Sequence, residues 1–246
     1  MALFTDGTIS IIEDLMGYES GILETATTEQ IDLTIKLGLA QEELAIDLEA
    51  YLSGRDSTLG LGNIVVTEPL HKWHTFRALA LVFRDAYHRQ LNDRYQAKWA
   101  EYQKVGQWAW DALLEIGVGV NGDPIPRAAK PVLSYAAAAV RAATYFVRVA
   151  WRNNDAEEGS PSDIAILSVP EGNVLVVMPV SPPAQARSWS VYVGLSPTEQ
   201  TQQNGSPLAV DEEWTAPVSG IRQGAAVGTG QEPDYYLRPG PRVLWR

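Results

Sequence analysis

The sequence predicts an α+β chain of two domains: an all-α N-terminal half with one long helix, then a C-terminal antiparallel β-sandwich, closed by an extended C-terminal arm. Three observations predict it. Through the first half, apolar residues recur every three or four positions, the period of a helix face. Past residue 128 the period falls to two, in short runs separated by turn residues, the pattern of half-buried strands. The last stretch, TGQEPDYYLRPGPRVLWR, carries Pro233, Pro239 and Pro241 with Tyr235, Tyr236 and Trp245, anchors that a loose polar end does not need. The expected boundaries are 1–127, 128–228 and 229–246.

The helices follow in order. TISIIEDLMGYES offers Thr8 or Ser10 as an N-cap, with Glu13 and Asp14 suited to the positive end of the helix dipole. In TTEQIDLTIKLGLAQEELAIDLEAYLSG, Thr27 or Thr28 stands before Glu29 and Gln30 as a cap. Ile31, Ile35, Leu39, Leu44, Leu48 and Tyr51 or Leu52 form the apolar stripe, and Gly54 is the stop. STLGLGNIVVTEP reads as a loop with a short strand ended by Pro69. From Phe76 through Ala80, Phe83, Tyr87, Leu91, Tyr95, Trp99, Tyr102, Val105 and Ala109 to Leu113 a single seam advances, that of one helix of ~65 Å or of two in line. So long a helix exceeds what its domain can bury, and part of it is expected to face a partner. Gly106 is a candidate bend.

NGDPIPRAAKP is the joint. In TYFVRVAWRN, Tyr145, Val147, Val149 and Trp151 alternate against Phe146, Arg148, Ala150 and Arg152. DIAILSV, NVLVVMPV, SWSVYVG and EEWTAPV are the further strands, divided by turn-rich segments as in a sandwich.

Chemical motifs are weak. GVGVNG, with Gly117, Gly119 and Gly122, matches a dinucleotide fingerprint in letters, but Pro124 and Pro126 follow where a helix must begin. It reads as a glycine-rich helix stop, and no cofactor is expected. His71 and His74 share a helix face, but only Glu68 stands near as a third ligand and His88 lies turns away, so no metal is expected. Glu157-Glu158 and Asp211-Glu212-Glu213 fall in turns and read as solvated charge. Asn204-Gly205-Ser206 matches a glycosylation acceptor but reads as a turn. No nucleophile elbow or phosphate loop is present, and the chain is expected not to be an enzyme. Trp99, Trp108 and Trp110 cannot all point inward on one helix, so Trp99 and Trp110 are interface candidates.

Composition narrows the classes. The chain has 246 residues, no cysteine, 46% hydrophobic residues and a net charge of −11, of which residues 1–60 carry −10. That distribution opposes groove-reading nucleic-acid binding. No basic leader or spanning apolar run is seen, so a soluble protein without a membrane partner is expected.

AATYFVRVAWRNNDAEEGSPS followed by SWSVYVGLSP resembles a fibronectin type III module over about residues 131–228. Together with the helical half and the GQ-x-P-D-Y-Y tail, the chain resembles virion structural proteins of tailed bacteriophages, in particular the head–tail adaptor (connector) group. That resemblance implies a homo-oligomeric ring, a dodecamer in the family, between the portal protein and a tail or nozzle protein. DNA passes through such a ring without specific binding. It also implies location in the virion neck after assembly in the host cytoplasm. The arm then docks through Tyr235, Tyr236, Leu237, Arg238, Arg242, Val243, Leu244 and Trp245. A tail or host-surface-binding virion protein, using the sandwich as a receptor or glycan module, is the alternative.

Overall fold

The computed structural model describes residues 1–239. Among them are five α-helices, α1 (Ile12–Tyr18), α2 (Ile22–Thr28), α3 (Leu33–Ser53), α4 (Glu68–Gln90) and α5 (Asp93–Ile116). The strands are β1 (Val118–Val120), β2 (Val132–Ala137), β3 (Ala143–Arg152), β4 (Ala165–Val169), β5 (Asn173–Met178), β6 (Ser188–Gly194), β7 (Thr201–Gln202), β8 (Leu208–Ala209), β9 (Trp214–Thr215) and β10 (Tyr235–Leu237). The α+β expectation holds: the helices fill the N-terminal half and antiparallel sheets follow. No helix among the described residues is long and apolar enough to cross a membrane.

Two compact units form, and their borders differ from the expected ones. A β unit takes residues 1–6 with 121–232, and a helical unit takes 7–120 with the chain from 233 onward. The chain therefore passes between units three times. Residues 1–6 are held in the β unit by specific bonds, since the Arg127 N–H donates to the Asp6 carboxylate at 2.7 Å and the Met1 ammonium to Thr229 at 3.3 Å. Residues 229–232 belong there too: the Gln231 carboxamide oxygen accepts from the Ile125 N–H at 2.6 Å.

In the helical unit, α3 is capped by Asp32, whose carboxylate accepts from the N–H groups of Thr34 and Ile35. The expected cap at Thr27 or Thr28 is corrected, because α2 occupies that stretch and Gln30, at φ 52°, turns the chain. The buried stripe of α3 is Leu33, Leu37, Ala40, Leu44, Leu48, Tyr51 and Leu52; Ile35 and Leu39, expected inside, are exposed. Gly54 caps the helix as read.

The single long helix does not form. Leu91 adopts the left-handed conformation (φ 50°), and the Asn92 side chain accepts the Arg94 N–H, so α4 stops and α5 starts anew. The two helices fold back on each other as an antiparallel hairpin. An aromatic ladder runs along the contact: Tyr87 on Trp99, Phe83 on Tyr95 and Tyr102, and Trp73 on Trp110, with Gly106 against Phe76. Each helix packs most of its seam on the other, with Leu91 exposed at the turn, which weakens the argument that the seam needs a partner chain. Gly106 lies within α5, which runs through it unbroken, and a Cβ there would make only ordinary contact with the Phe76 Cβ at 3.9 Å. Pro69, expected to end a strand, sits in the first turn of α4, where its missing N–H costs nothing.

In the β unit, β2-β5-β9 form one sheet and β4-β3-β6-β7 another, with β8 also on β6. Both contribute to one core that includes Tyr145, Val147, Val149, Trp151, Leu175, Val177, Trp189, Val191, Val193 and Trp214. The alternation in β3 places Tyr145, Val147, Val149 and Trp151 inside, as read. Trp151 and Trp189 are fully buried, and truncating either to alanine is worth ~3–5 kcal/mol. The Trp189 indole N–H donates to the Ala209 carbonyl at 2.9 Å, which satisfies its polar edge.

Candidate functional site

The arm was the main candidate, and its described part is held by its own chain. β10 pairs antiparallel with β1 inside the helical unit, in the register Val118 to Leu237, Gly119 to Tyr236 and Val120 to Tyr235. The Tyr51 hydroxyl donates to the Leu237 carbonyl at 2.9 Å, and the Arg238 guanidinium donates to the Ile116 carbonyl at 2.9 Å. The backbone of Tyr235, Tyr236 and Leu237 is thus an internal strand, with Arg238 bonded just beyond it, while the Tyr235 and Tyr236 side chains are 41% and 46% exposed. Arg242, Val243, Leu244 and Trp245 lie outside the described residues.

This pairing explains the glycines of GVGVNG. Gly117 sits at φ 108°, where only glycine is unstrained, and a Cβ there would meet the Tyr236 Cβ at 2.9 Å. A Cβ on Gly119 would meet Pro233 at 2.8 Å and Thr67 at 3.0 Å. The glycines admit the returning arm. The signal was in the sequence, as glycines with no ligand to serve.

The tryptophan assignment also changes. Trp99 stacks on Tyr87, and Trp110 packs on Trp73 and Tyr51, so both work inside the helical unit. Trp108 is the one left out, 59% exposed. The buried face of α5 is Tyr102, Gly106, Ala109 and Leu113. At about 100° per residue Trp99 and Trp110 flank that face, while Trp108 falls roughly 120° from it.

Trp108 and Ile116 wall an apolar groove of about 380 Å³ with Pro69, Ala109 and Ala112, and Glu68 and Lys72 at its edge. A second apolar surface lies on α3. Ile35 (58% exposed), Leu39 (38%) and Ile46 (67%) share one helix face, interleaved with the exposed Glu42 and Glu49. Helix α3 is thus apolar on two faces, of which the helical unit covers one.

The remaining candidates are structural. His71 approaches Asp14 at 3.2 Å, while His74 is buried between Ser10 at 2.9 Å and the Leu37 carbonyl at 3.0 Å. Burial lowers the His74 pKa to about 4, against a weaker upward pull from the Leu37 carbonyl, so the ring is neutral at ordinary pH. No group of three or more histidine or carboxylate side chains that would hold a metal occurs among the described residues.

Glu157 and Glu158 are not the solvated turn acids expected. Glu157 accepts from the carboxamides of Gln231, Asn153 and Asn121; burial pushes its carboxyl up, and the three donors together outweigh that and hold it low. Glu158 takes the Arg152 guanidinium at 2.8 Å and the Tyr192 hydroxyl at 2.5 Å. Both carboxylates fasten loops of the β unit. Asn204 is buried, with its side chain bonded to Val191, Trp189 and Ser206, so it is a structural residue of the sheet edge. In the second acidic run, Asp211-Glu212-Glu213, the Glu212 carboxylate accepts from the Ala209 N–H at 3.1 Å.

No family model, curated protein or solved structure matches this chain.

Proposed function

We infer that this chain is a structural assembly protein, a head–tail adaptor that forms a ring between the portal and the tail of a tailed phage. The β unit, in this reading, is a fibronectin type III-like sandwich serving as a spacer. One observation carries the reading: α3 keeps a second apolar stripe, Ile35, Leu39 and Ile46, on the face its own unit leaves uncovered. Large exposed aliphatics at helical spacing mark a protein contact, and repetition of one contact around an axis gives a ring.

The acidic character of the same half supports it. Residues 1–60 carry −10 of the net charge, and acids facing a passage repel DNA and keep it from sticking.

Native mass measurement of the purified chain, alone and with a portal protein, tests the reading. The wild type is expected to form a closed multimer. Ile46→Glu is expected to remain folded and monomeric, because that side chain is 67% exposed and supports no internal packing. A wild type that stays monomeric under both conditions refutes it.

A further inference from the structure

We propose that the open edge of β2 is a strand-pairing site for a second copy of this chain, which presents the open edge of its β4. The inference concerns the β unit alone and does not rest on the adaptor reading.

The two larger sheets of this unit end in four edge strands, and two of those are blunted. β7 and β9 are two residues long, and the Gln202 N–H on β7 already donates to the Ala225 carbonyl at 2.8 Å. The other two are β2, with six residues, and β4, with five. Neither contains a charge or a proline, the side chains that commonly keep an edge from pairing.

Backbone direction identifies the groups left over. The Ala216 N–H donates to the Leu175 carbonyl at 2.8 Å, which turns Leu175 towards β9 and Val174, Val176 and Met178 towards β2. Their register partners Ala136, Ser134 and Val132 face β5 in return, so the N–H and C=O groups of Leu133, Tyr135 and Ala137 point away from the sheet. The same alternation holds on β4. The Ser162 N–H donates to the Val149 carbonyl at 2.8 Å, Ala165, Leu167 and Val169 turn to β3, and Ile166 and Ser168 are left on the open side. On that side none of these five residues has a backbone partner among the described residues. Val132, Tyr135 and Ile166 are 57%, 52% and 58% exposed, so both strands are apolar as well as open.

Charge selects the pairing. β2 lies between Lys130 and Arg141, both exposed and without an acidic partner among the described residues. β4 lies between Asp163 and Glu171, both exposed; Asp163 holds Arg127 at 2.7 Å with 76% of its side chain still exposed. Two β2 edges brought together would set cation against cation, and two β4 edges acid against acid. β2 against β4 gives each cation an acid, whichever way the strands run. In a chain of net charge −11 that local match opposes the repulsion between copies. Strands this short bury far less than the ~1,000 Å² of a stable interface, so the contact is weak at micromolar protein and does not by itself keep the Ile46→Glu chain from being monomeric there.

The absence of native cysteine makes disulfide trapping direct. Ser134→Cys and Ser168→Cys, conservative changes at exposed positions, are made in separate full chains, one carrying a mass tag, and mixed at high concentration under mild oxidant. Paired strands stand ~4.8 Å apart, within disulfide reach. Random collision favours the mixed disulfide about twofold over either homodimer, and the charge match is expected to raise that to roughly tenfold. A dominant Ser134→Cys homodimer would mean that β2 pairs with β2, and would overturn the proposal. So would a collisional ratio formed no faster than with Val218→Cys, an exposed control on the same unit, folding being verified by circular dichroism. Adding Lys130→Glu and Arg141→Glu to the Ser134→Cys chain is expected to return the ratio to the collisional value, and an unmoved ratio overturns the choice of β4. Ile46→Glu in both chains is expected to leave the ratio unchanged, which separates this contact from the one on α3; loss of the mixed species there overturns the proposal. In the wild type, deuterium uptake of residues 132–137 is expected to fall as protein concentration rises from micromolar to millimolar, and uptake independent of concentration overturns it as well.

Discussion

Replacing Gly117 by alanine tests the arm–strand pairing most sharply. Two costs combine at that residue. Its backbone, at φ 108° and ψ 149°, lies where a side chain is strained by ~1–3 kcal/mol. The added Cβ would also stand 2.9 Å from the Tyr236 Cβ and 3.1 Å from both the Arg238 Cγ and the Leu237 carbonyl oxygen, an overpacking cost of ~1–3 kcal/mol. The sum, about 2–6 kcal/mol, is comparable to the net stability of many domains. Part of it is relieved if β10 detaches, so exchange at Tyr235–Leu237 is expected to accelerate. Gly38→Ala serves as the control. Gly38 lies within α3 with open space around its would-be Cβ, and the same substitution there is expected to stabilise by ~0.5–1 kcal/mol. Urea denaturation gives the stabilities, and deuterium uptake of the 233–239 peptide reports the strand. A Gly117→Ala chain within ~0.5 kcal/mol of wild type, with unchanged uptake, refutes the account of the glycines.

Other expectations can be checked alongside it. His74 is neutral in the folded chain, and its folded pKa of about 4 lies below the ordinary 6.5. The unfolded chain therefore takes the proton first, and stability falls as pH drops from about 6.5 towards 4, by at most ~3 kcal/mol. His74→Gln should flatten that part of the profile in acid titrations of unfolding, and a parallel slope in both chains would count against it. Tyr51→Phe removes the bond to the Leu237 carbonyl and is expected to cost ~1 kcal/mol and quicken exchange in β10 while leaving the β unit's exchange unaltered. Charge reversal at Glu42, Glu43 and Asp47 tests the proposed adaptor role; under that proposal slower DNA ejection from particles is expected, and unchanged kinetics would oppose it. The Glu43 substitution also breaks its pair with Arg77, so a Glu42/Asp47 double variant isolates the effect of surface charge.

Legibility in the sequence followed the length of the signal. β3, β5 and β6 were readable because six or more residues alternate or run apolar between turn residues. β1 and β10 were not, since three residues carry no period and their partners lie more than a hundred positions apart. β2 escaped because most of its residues are exposed, so no buried face marks it. The break at Leu91 was masked for a different reason. Tyr87, Leu91 and Tyr95 keep the i, i+4 spacing across the turn, although Leu91 itself is 71% exposed. Asn92-Asp93 was the cap signal that outranked the seam. Ile35 and Leu39 were assigned inward because α3 has two apolar faces, and periodicity alone does not say which one the unit covers. For Trp108 the geometry was available: its angle from the Tyr102–Leu113 face separates it from Trp99 and Trp110.

The interleaving of the two units bears on how the molecule can be dissected or labelled. A fluorophore at Met1 would report on the sheets, and one at Pro239 on the helices, the reverse of what chain order suggests. Expressing residues 128–228 alone would discard the strap formed by residues 1–6, the buried Ile125 and the Gln231 clasp, so its failure to fold would say nothing about the intact fold. A permuted gene that joins 121–232 through a short linker to 1–6 would keep those pieces together.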